Sequence, residues 1–208
     1  HDWRRMYRFN FEVTVELNSI LVPKMQEKKW GRVVHNSSIS SMENHGPVTY
    51  CAMKAALTAY TRSFGGVVAP DGVVVSAVLP GAIFTEGGYW DTTSKTNPGH
   101  VQKFLTERQR IGRFGNVDEI ANYVTFLCSE LASFNTGSIV PVDGGQGRGS
   151  CLNKEIYKPT PTGDTKRCFV PGKQFPGDGA QATNVPFAHQ DHFQDFHFAP
   201  FSTFVSTA

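Results

Sequence analysis

Tyr50 and Lys54 stand four residues apart in the run Tyr50-Cys51-Ala52-Met53-Lys54, a spacing that puts both side chains on one helical face. A free phenol ionises near about 10, too high for a useful base at neutral pH. An ammonium held beside it favours the phenolate and lowers that barrier. A tyrosine tuned in this way passes a proton to or from a substrate oxygen while hydride moves at the adjoining carbon. By itself the pair is weak evidence, because the same spacing arises as a plain surface pair on a helix. Ser37 and Ser38 lie a dozen residues upstream, directly after the segment Arg32-Val33-Val34-His35-Asn36. If that segment is a strand, they sit at its carboxyl end, where open α/β sheets place their chemistry. A hydroxyl there donates to the same oxygen that Tyr50 protonates; a serine-rich loop is the plainer reading.

A second grouping, His189-Gln190-Asp191-His192 followed by Asp195 and His197, has a different chemistry. His-x-Asp supplies two of the three ligands of a non-haem iron triad, the third being a distant histidine. His197 is too close to be that ligand, so His189 and Asp191 are weak metal candidates. A surface loop rich in His, Asp and Phe is the simpler reading, and no metal site is expected.

The elements that must position these groups follow from apolar periodicity. Met6, Phe9, Val13, Leu17, Ile20 and Leu21 recur at helical spacing and predict one long helix over residues 2–28, with Pro23 accommodated near its end. Residues 32–36 predict a short strand and 48–68 a second helix, closed by Pro70-Asp71-Gly72. Residues 73–79 form a continuous apolar run, the pattern of a strand buried on both faces. A Gly- and Thr-rich loop then runs to about Gly99, followed by helices over 100–110 and 117–129 and a last strand over 138–142. Strands alternating with helices imply an α/β fold with a doubly wound, Rossmann-like parallel sheet.

Bulk properties narrow the function. A net charge of +2 with scattered Lys and Arg gives no pull toward nucleic acid or anionic membrane. No apolar run reaches the length of a membrane span. Cys51, Cys128, Cys151 and Cys168 show no C-x-x-C spacing, which predicts free thiols in a reducing cytoplasm. Composition shifts near residue 148, where Pro, Gly, Thr and Gln replace aliphatic residues. A domain over 1–148 and an irregular tail or truncated second domain over 149–208 are expected.

In order, the segments resemble the short-chain dehydrogenase/reductase family. The resemblance lies in Trp3 to Asn10, in Gly31-Arg32-Val33-Val34-His35-Asn36-Ser37-Ser38, and in Tyr50 to Lys54. It continues through Leu79-Pro80-Gly81-Ala82-Ile83-Phe84-Thr85, Gly112-Arg113-Phe114-Gly115 with Asp118 to Ala121, and Val142-Asp143-Gly144-Gly145. It covers about residues 1–148 and implies an oxidoreductase moving hydride between NAD or NADP and a carbonyl or secondary alcohol. It also implies that Asn10 holds a water in a proton relay, Ser38 polarises the substrate oxygen, and Tyr50 is the general acid/base. Lys54 would lower the tyrosine's ionisation and bind the nicotinamide ribose. Pro80, Gly81, Ile83 and Thr85 would pack against the nicotinamide and its neighbouring groups. The spacing from Ser38 to Tyr50 is one residue shorter than is commonest in the family. Ser37 would restore it; Ser38 is favoured as the second serine of the pair. The stretch around Pro186 to Asp191 is weakly similar to the phytanoyl-CoA dioxygenase type.

The family's Gly-rich pyrophosphate turn, whose amides and helix N-terminus receive the cofactor, does not occur here; Gly144 to Gly149 follows the last strand and reads as a terminal loop. The first half of the Rossmann-like sheet is therefore missing, and an unpaired edge is expected on the strand 32–36. The chain is expected to be part of a longer protein and inactive by itself, with a degenerate paralogue or a chain completed by a partner as alternatives. Two other functions are carried forward: a non-catalytic assembly module, since the first two helices resemble the pair that packs across the family's dimer interface, and an iron oxygenase tail around His189 and Asp191. A homo-oligomer is expected.

Overall fold

Three parallel strands organise the fold. The structure, a computed structural model, describes residues 2–43, 46–147 and 203–206. Strands β1 (Gly31–Asn36), β2 (Val73–Pro80) and β3 (Ile139–Val142) pair in parallel, and β4 (Thr203–Ser206) adds antiparallel to β1. The order across the sheet is β3-β2-β1-β4. Residues from Gly31 to His35 and from Val73 to Leu79 are all buried, because helices cover both faces.

Alternation along the strands sorts their side chains between two cores. Val33, Val73 and Val75 pack with Val22, Met25 and Val68 under helices α2 (Val13–Glu27) and α3 (Val48–Val68). Val34 and Val78 face the other way, onto Val124, Leu127 and Ala132, the first two from helix α6 (Val117–Leu127). His35 shares the α2/α3 face with Val33 and is fully buried. Thr61 Oγ1 donates to Leu57 O at 2.7 Å and lies 2.8 Å from His35 Nδ1, so it accepts from Nδ1–H. Nε2 then accepts from Asn18 Nδ2 at 2.9 Å. Burial pushes this imidazole down to about 4, which matches a neutral ring wired to two helices.

The first helix departs from expectation. Where the sequence predicts one helix over 2–28, the chain forms α1 (Asp2–Tyr7), a π turn (Arg8–Glu12) and then α2. The wider turn sends Val13 N–H to Arg8 O, five residues back. Asn10 Nδ2 bonds Met6 O at 3.2 Å, so a side chain satisfies a carbonyl in the disturbed ladder. Such single π turns are frequent at functional sites. Two further helices, α4 (Tyr89–Thr96) and α5 (Pro98–Glu107), follow β2; the first lies in the stretch expected to be a loop. It stands because Trp90 packs against Phe104 and Phe114, with ring centroids 4.3 and 4.8 Å away. Asp91 accepts from Gly87 N at its start.

The edge of β1 expected to be unpaired is paired, since β4 comes from the tail expected to be irregular. His189 and Asp191 lie outside the described residues. No group of three metal-ligating side chains occurs among the described residues.

The turn into β2 leans on the turn into β1. Gly72 has φ 77°, and a Cβ there would lie 2.1 Å from Lys29 O. Gly72→Ala therefore combines a left-handed backbone, costing about 1–2 kcal/mol, with a clash against main chain. A loss of roughly 3 kcal/mol is expected in urea unfolding; a loss under about 1 kcal/mol would show that the two turns do not constrain each other.

Candidate active site

The carboxyl ends of β1 and β2 bring the predicted residues to one side of the sheet. Asn36 is in register with Val78, and Ser37 N donates to Val78 O at 2.9 Å. Pro80 and Gly81 thus follow the strand end beside that of Asn36, Ser37 and Ser38. Helix α3 supplies the other wall. It starts after Pro47, which has no side-chain cap but a preset φ, and Tyr50 and Lys54 face the β1 end from its first turns.

Ser38, Tyr50 and Lys54 form one group. The Ser38 side chain and the Tyr50 hydroxyl are hydrogen-bonded. The Lys54 Nζ lies 5.6 Å from the Tyr50 ring centroid and donates to Asn36 O at 2.9 Å. Ser37, the alternative to Ser38, points elsewhere: its Oγ donates to Lys54 O at 3.1 Å and ties α3 to the strand end. Ser38 Oγ also accepts from Ser40 N, which holds the hydroxyl in place at the head of a short turn.

Electrostatics at the group oppose one another. Burial pushes the Tyr50 phenol up, and the Ser38 hydrogen bond pulls it back down. Burial also pushes the Lys54 ammonium down, to about 8. Both are desolvation effects on the charged form, which is the anion of one residue and the cation of the other. With Tyr50 protonated at neutral pH, the group can donate a proton to a carbonyl oxygen. It becomes a base only when something stabilises the phenolate.

Asn10 is buried in the π turn, which packs against α3, but its side-chain amide turns back on Met6. Ile83 is zipped to Gly115 through Gly115 N to Ala82 O and Phe84 N to Gly115 O, at 2.9 and 2.8 Å. Thr85 is exposed in the loop beyond. A small cavity of about 60 Å³ is bordered by Ala82, Ile83, Gln109, Ile111, Val142 and Asp143; none of Ser38, Tyr50 and Lys54 lines it. Gly81 is pressed against Asp143, since a Cβ would lie 2.7 Å from its Cα.

Two contributors were not among the residues expected from sequence. Asn36 holds Lys54 through its carbonyl, which carries no residue-type signature. Gln146 accepts from Ala82 N through Oε1 at 2.7 Å and so braces the loop after Gly81; its place in the glycine-rich terminal run was the only clue.

Residues 1–146 match a family model described as enoyl-(acyl carrier protein) reductase. The chain is 39% identical over 145 residues to the 3-oxoacyl-(acyl-carrier-protein) reductase FabG of Aquifex aeolicus, covering 69% of this chain and 56% of that protein. The same-named protein of Rickettsia felis is 34% identical over 145 residues, with 69% and 58% covered. The chain thus spans little more than half the length of these curated relatives. Among solved structures, L-sorbose reductase from Gluconobacter frateurii, complexed with NADPH and L-sorbose, aligns with a TM-score of 0.65 at 31% identity, covering 71% of this chain and 59% of that one. A 3-oxoacyl (acyl-carrier-protein) reductase from Agrobacterium tumefaciens C58 with NADP bound aligns with a TM-score of 0.63 at 29% identity, covering 67% and 54%. No part of residues 149–208 enters the family match. With its motifs, its parallel sheet and its matched length in agreement, the chain belongs to the short-chain dehydrogenase/reductase family.

Proposed function

We propose that the chain carries the proton-transfer part of an NAD- or NADP-linked oxidoreductase site acting on a small carbonyl or secondary alcohol. The observation that supports this most is the grouping of Ser38, Tyr50 and Lys54 at the carboxyl ends of β1 and β2. In the direction of reduction, Ser38 donates a hydrogen bond to the carbonyl oxygen, and Tyr50 transfers its proton there as the carbon is reduced. The phenolate left behind is held by the Ser38 hydroxyl and by the field of the Lys54 ammonium. Asn10, in its π turn against α3, is assigned the water of the relay that returns a proton. Reversing the steps oxidises the alcohol.

The residues fit the nicotinamide end of a dinucleotide. An ammonium has three donors; Asn36 O takes one, and a ribose hydroxyl pair suits the others. The Tyr50 hydroxyl stands beside it, and Pro80, Gly81, Ile83 and Thr85 border the same end of the sheet. When bound, the nicotinamide supplies or accepts the hydride. The described residues include no glycine-rich turn between a strand and a helix that would receive a pyrophosphate. The NADPH and NADP in the solved relatives support the cofactor class and leave NAD open.

Titrating the full chain with NADH and NADPH under nicotinamide fluorescence tests the proposal. Saturable binding in the millimolar range is expected, and Lys54→Met should remove it. A folded chain that shows no saturation with either cofactor would count against the assignment.

A second reading, a homo-oligomeric assembly module, draws on exposed Trp3, Phe9, Leu17 and Ile20 along α1, the π turn and α2, and Val48 and Val67 on α3. Self-association without any cofactor response would favour it. No described helix is long and apolar enough to cross a membrane. The free thiols Cys51 and Cys128 support placement in the cytoplasm.

A further inference from the structure

Three consecutive residues at the end of β1 grip helix α3. Lys54 Nζ donates to Asn36 O at 2.9 Å, and Ser37 Oγ donates to Lys54 O at 3.1 Å. His35 Nδ1–H donates to Thr61 Oγ1 at 2.8 Å, and its Nε2 accepts from Asn18 Nδ2 of α2 at 2.9 Å. The Tyr60 ring stacks on the imidazole, with centroids 5.8 Å apart and planes at 26°. Lys54, Leu57, Thr61, Gly65 and Val68 form the buried stripe of α3. Lysine and threonine therefore lie on one face, about 10 Å apart along the axis, and they carry the polar side chains of the stripe.

This cluster is not the most stable filling of its space. His35 and Thr61 are fully buried and Asn18 nearly so, and Asn18 Oδ1 has no partner among the described residues. An apolar trio would avoid the desolvation of these groups. What hydrogen bonds add is direction. A slip of α3 by one residue, about 1.5 Å, breaks the bond between His35 and Thr61, whereas apolar side chains would repack. We propose that His35, wired to Thr61 and Asn18, is a positioning residue that locks the register of α3 on β1 and so sets the Lys54 ammonium against Asn36 O. Its part in proton transfer rests on the oxidoreductase reading; its hold on the lysine does not.

Carbon-detected NMR titration of the Lys54 side chain in the full chain tests this without cofactor. In the parent, the ammonium should lose its proton at about 8. Thr61→Val keeps the shape of the side chain and removes the acceptor. With α3 released, water reaches the ammonium and the midpoint should rise above about 9. Thr61→Ser keeps the hydroxyl and should match the parent. NADPH affinity of the same preparations should fall about tenfold in Thr61→Val, the equivalent of one hydrogen bond, and hold in Thr61→Ser. If Thr61→Val fails to fold, the combined variant Asn18→Leu, His35→Phe, Thr61→Val decides. It should equal or exceed the parent in urea stability and still titrate above about 9. A parental Lys54 midpoint in the folded valine or combined variant, or the same rise in Thr61→Ser, would overturn the positioning role. A parent without cofactor saturation counts against the oxidoreductase reading alone, because the lysine titration needs no cofactor.

Discussion

Tyr50→Phe is expected to lower the rate of carbonyl reduction at saturating cofactor by between about 10²- and 10⁴-fold, the range for losing a positioned general acid. The phenyl ring keeps the packing of α3 against the β1 end and removes only the hydroxyl. Under the proposed mechanism Ser38 would still reach the substrate oxygen, but a serine hydroxyl holds its proton too tightly to transfer it. The fold should survive, because the lost hydrogen bond to Ser38 contributes about 1 kcal/mol and a buried phenol hydroxyl carries its own desolvation cost. Cofactor affinity should fall no more than about tenfold, the equivalent of one hydrogen bond. Single-turnover rates and fluorescence titrations of the same preparation separate the two. A variant that retains the parental rate would remove Tyr50 from the mechanism.

Lys54→Met should act in opposite senses on stability and on chemistry. Lys54 is 6% exposed, and burial depresses its ionisation from 10.5 to about 8. Below pH 8 the residue is charged in both the native and the unfolded chain, and the native state carries the full desolvation penalty, about 3 kcal/mol. Between pH 8 and 10.5 the unfolded chain binds more protons than the native one, so stability of the parent rises with pH. Above 10.5 both forms are neutral and the penalty is gone. Methionine has no charge to desolvate, although it leaves Asn36 O without the ammonium, a loss of about 1–3 kcal/mol. The variant should therefore gain most on the parent below pH 8, by up to about 2 kcal/mol after that offset. The advantage should close as pH approaches 10.5, while cofactor binding and turnover are lost. Denaturant melts at pH 7, 9 and 10.5 measure the difference directly. A gap that does not change with pH would mean that burial does not depress the ionisation of this lysine.

Helix α3 and strand β2 are legible in the sequence almost to the residue, because both are long, apolar and bounded by proline or glycine. Predictions of 48–68 and 73–79 stand against observed spans of Val48–Val68 and Val73–Pro80. Ends of the later helices drift by two or three residues, as with 117–129 against Val117–Leu127, since helix ends are decided by caps; here Asn116 and Glu119 form the capping box at the start. Helix α4 is illegible: Tyr89–Thr96 has little apolar periodicity and follows two glycines, and it depends on aromatic rings that arrive from α5 and from Phe114. The π turn is hidden for a different reason. One wide turn shifts the apolar stripe too little to disturb a pattern read over four turns.

What the sequence by itself determined is the set of candidate groups and their local order. Tyr50 and Lys54 share a face because four residues make just over one helical turn, and Ser37 and Ser38 directly follow the strand that ends at Asn36. Only tertiary structure gave the two serines different partners. The backbone turn after β1 aims Ser37 at Lys54 O and Ser38 at the Tyr50 hydroxyl, and no local spacing encodes that. Only tertiary structure anchored Lys54 on a main-chain carbonyl, lowered its ionisation by burial, and set β4 on the edge of β1. Each of these depends on groups far apart in the chain meeting where water is excluded. Backbone donors and acceptors are the same at every residue, so the sequence cannot mark which of them will be met.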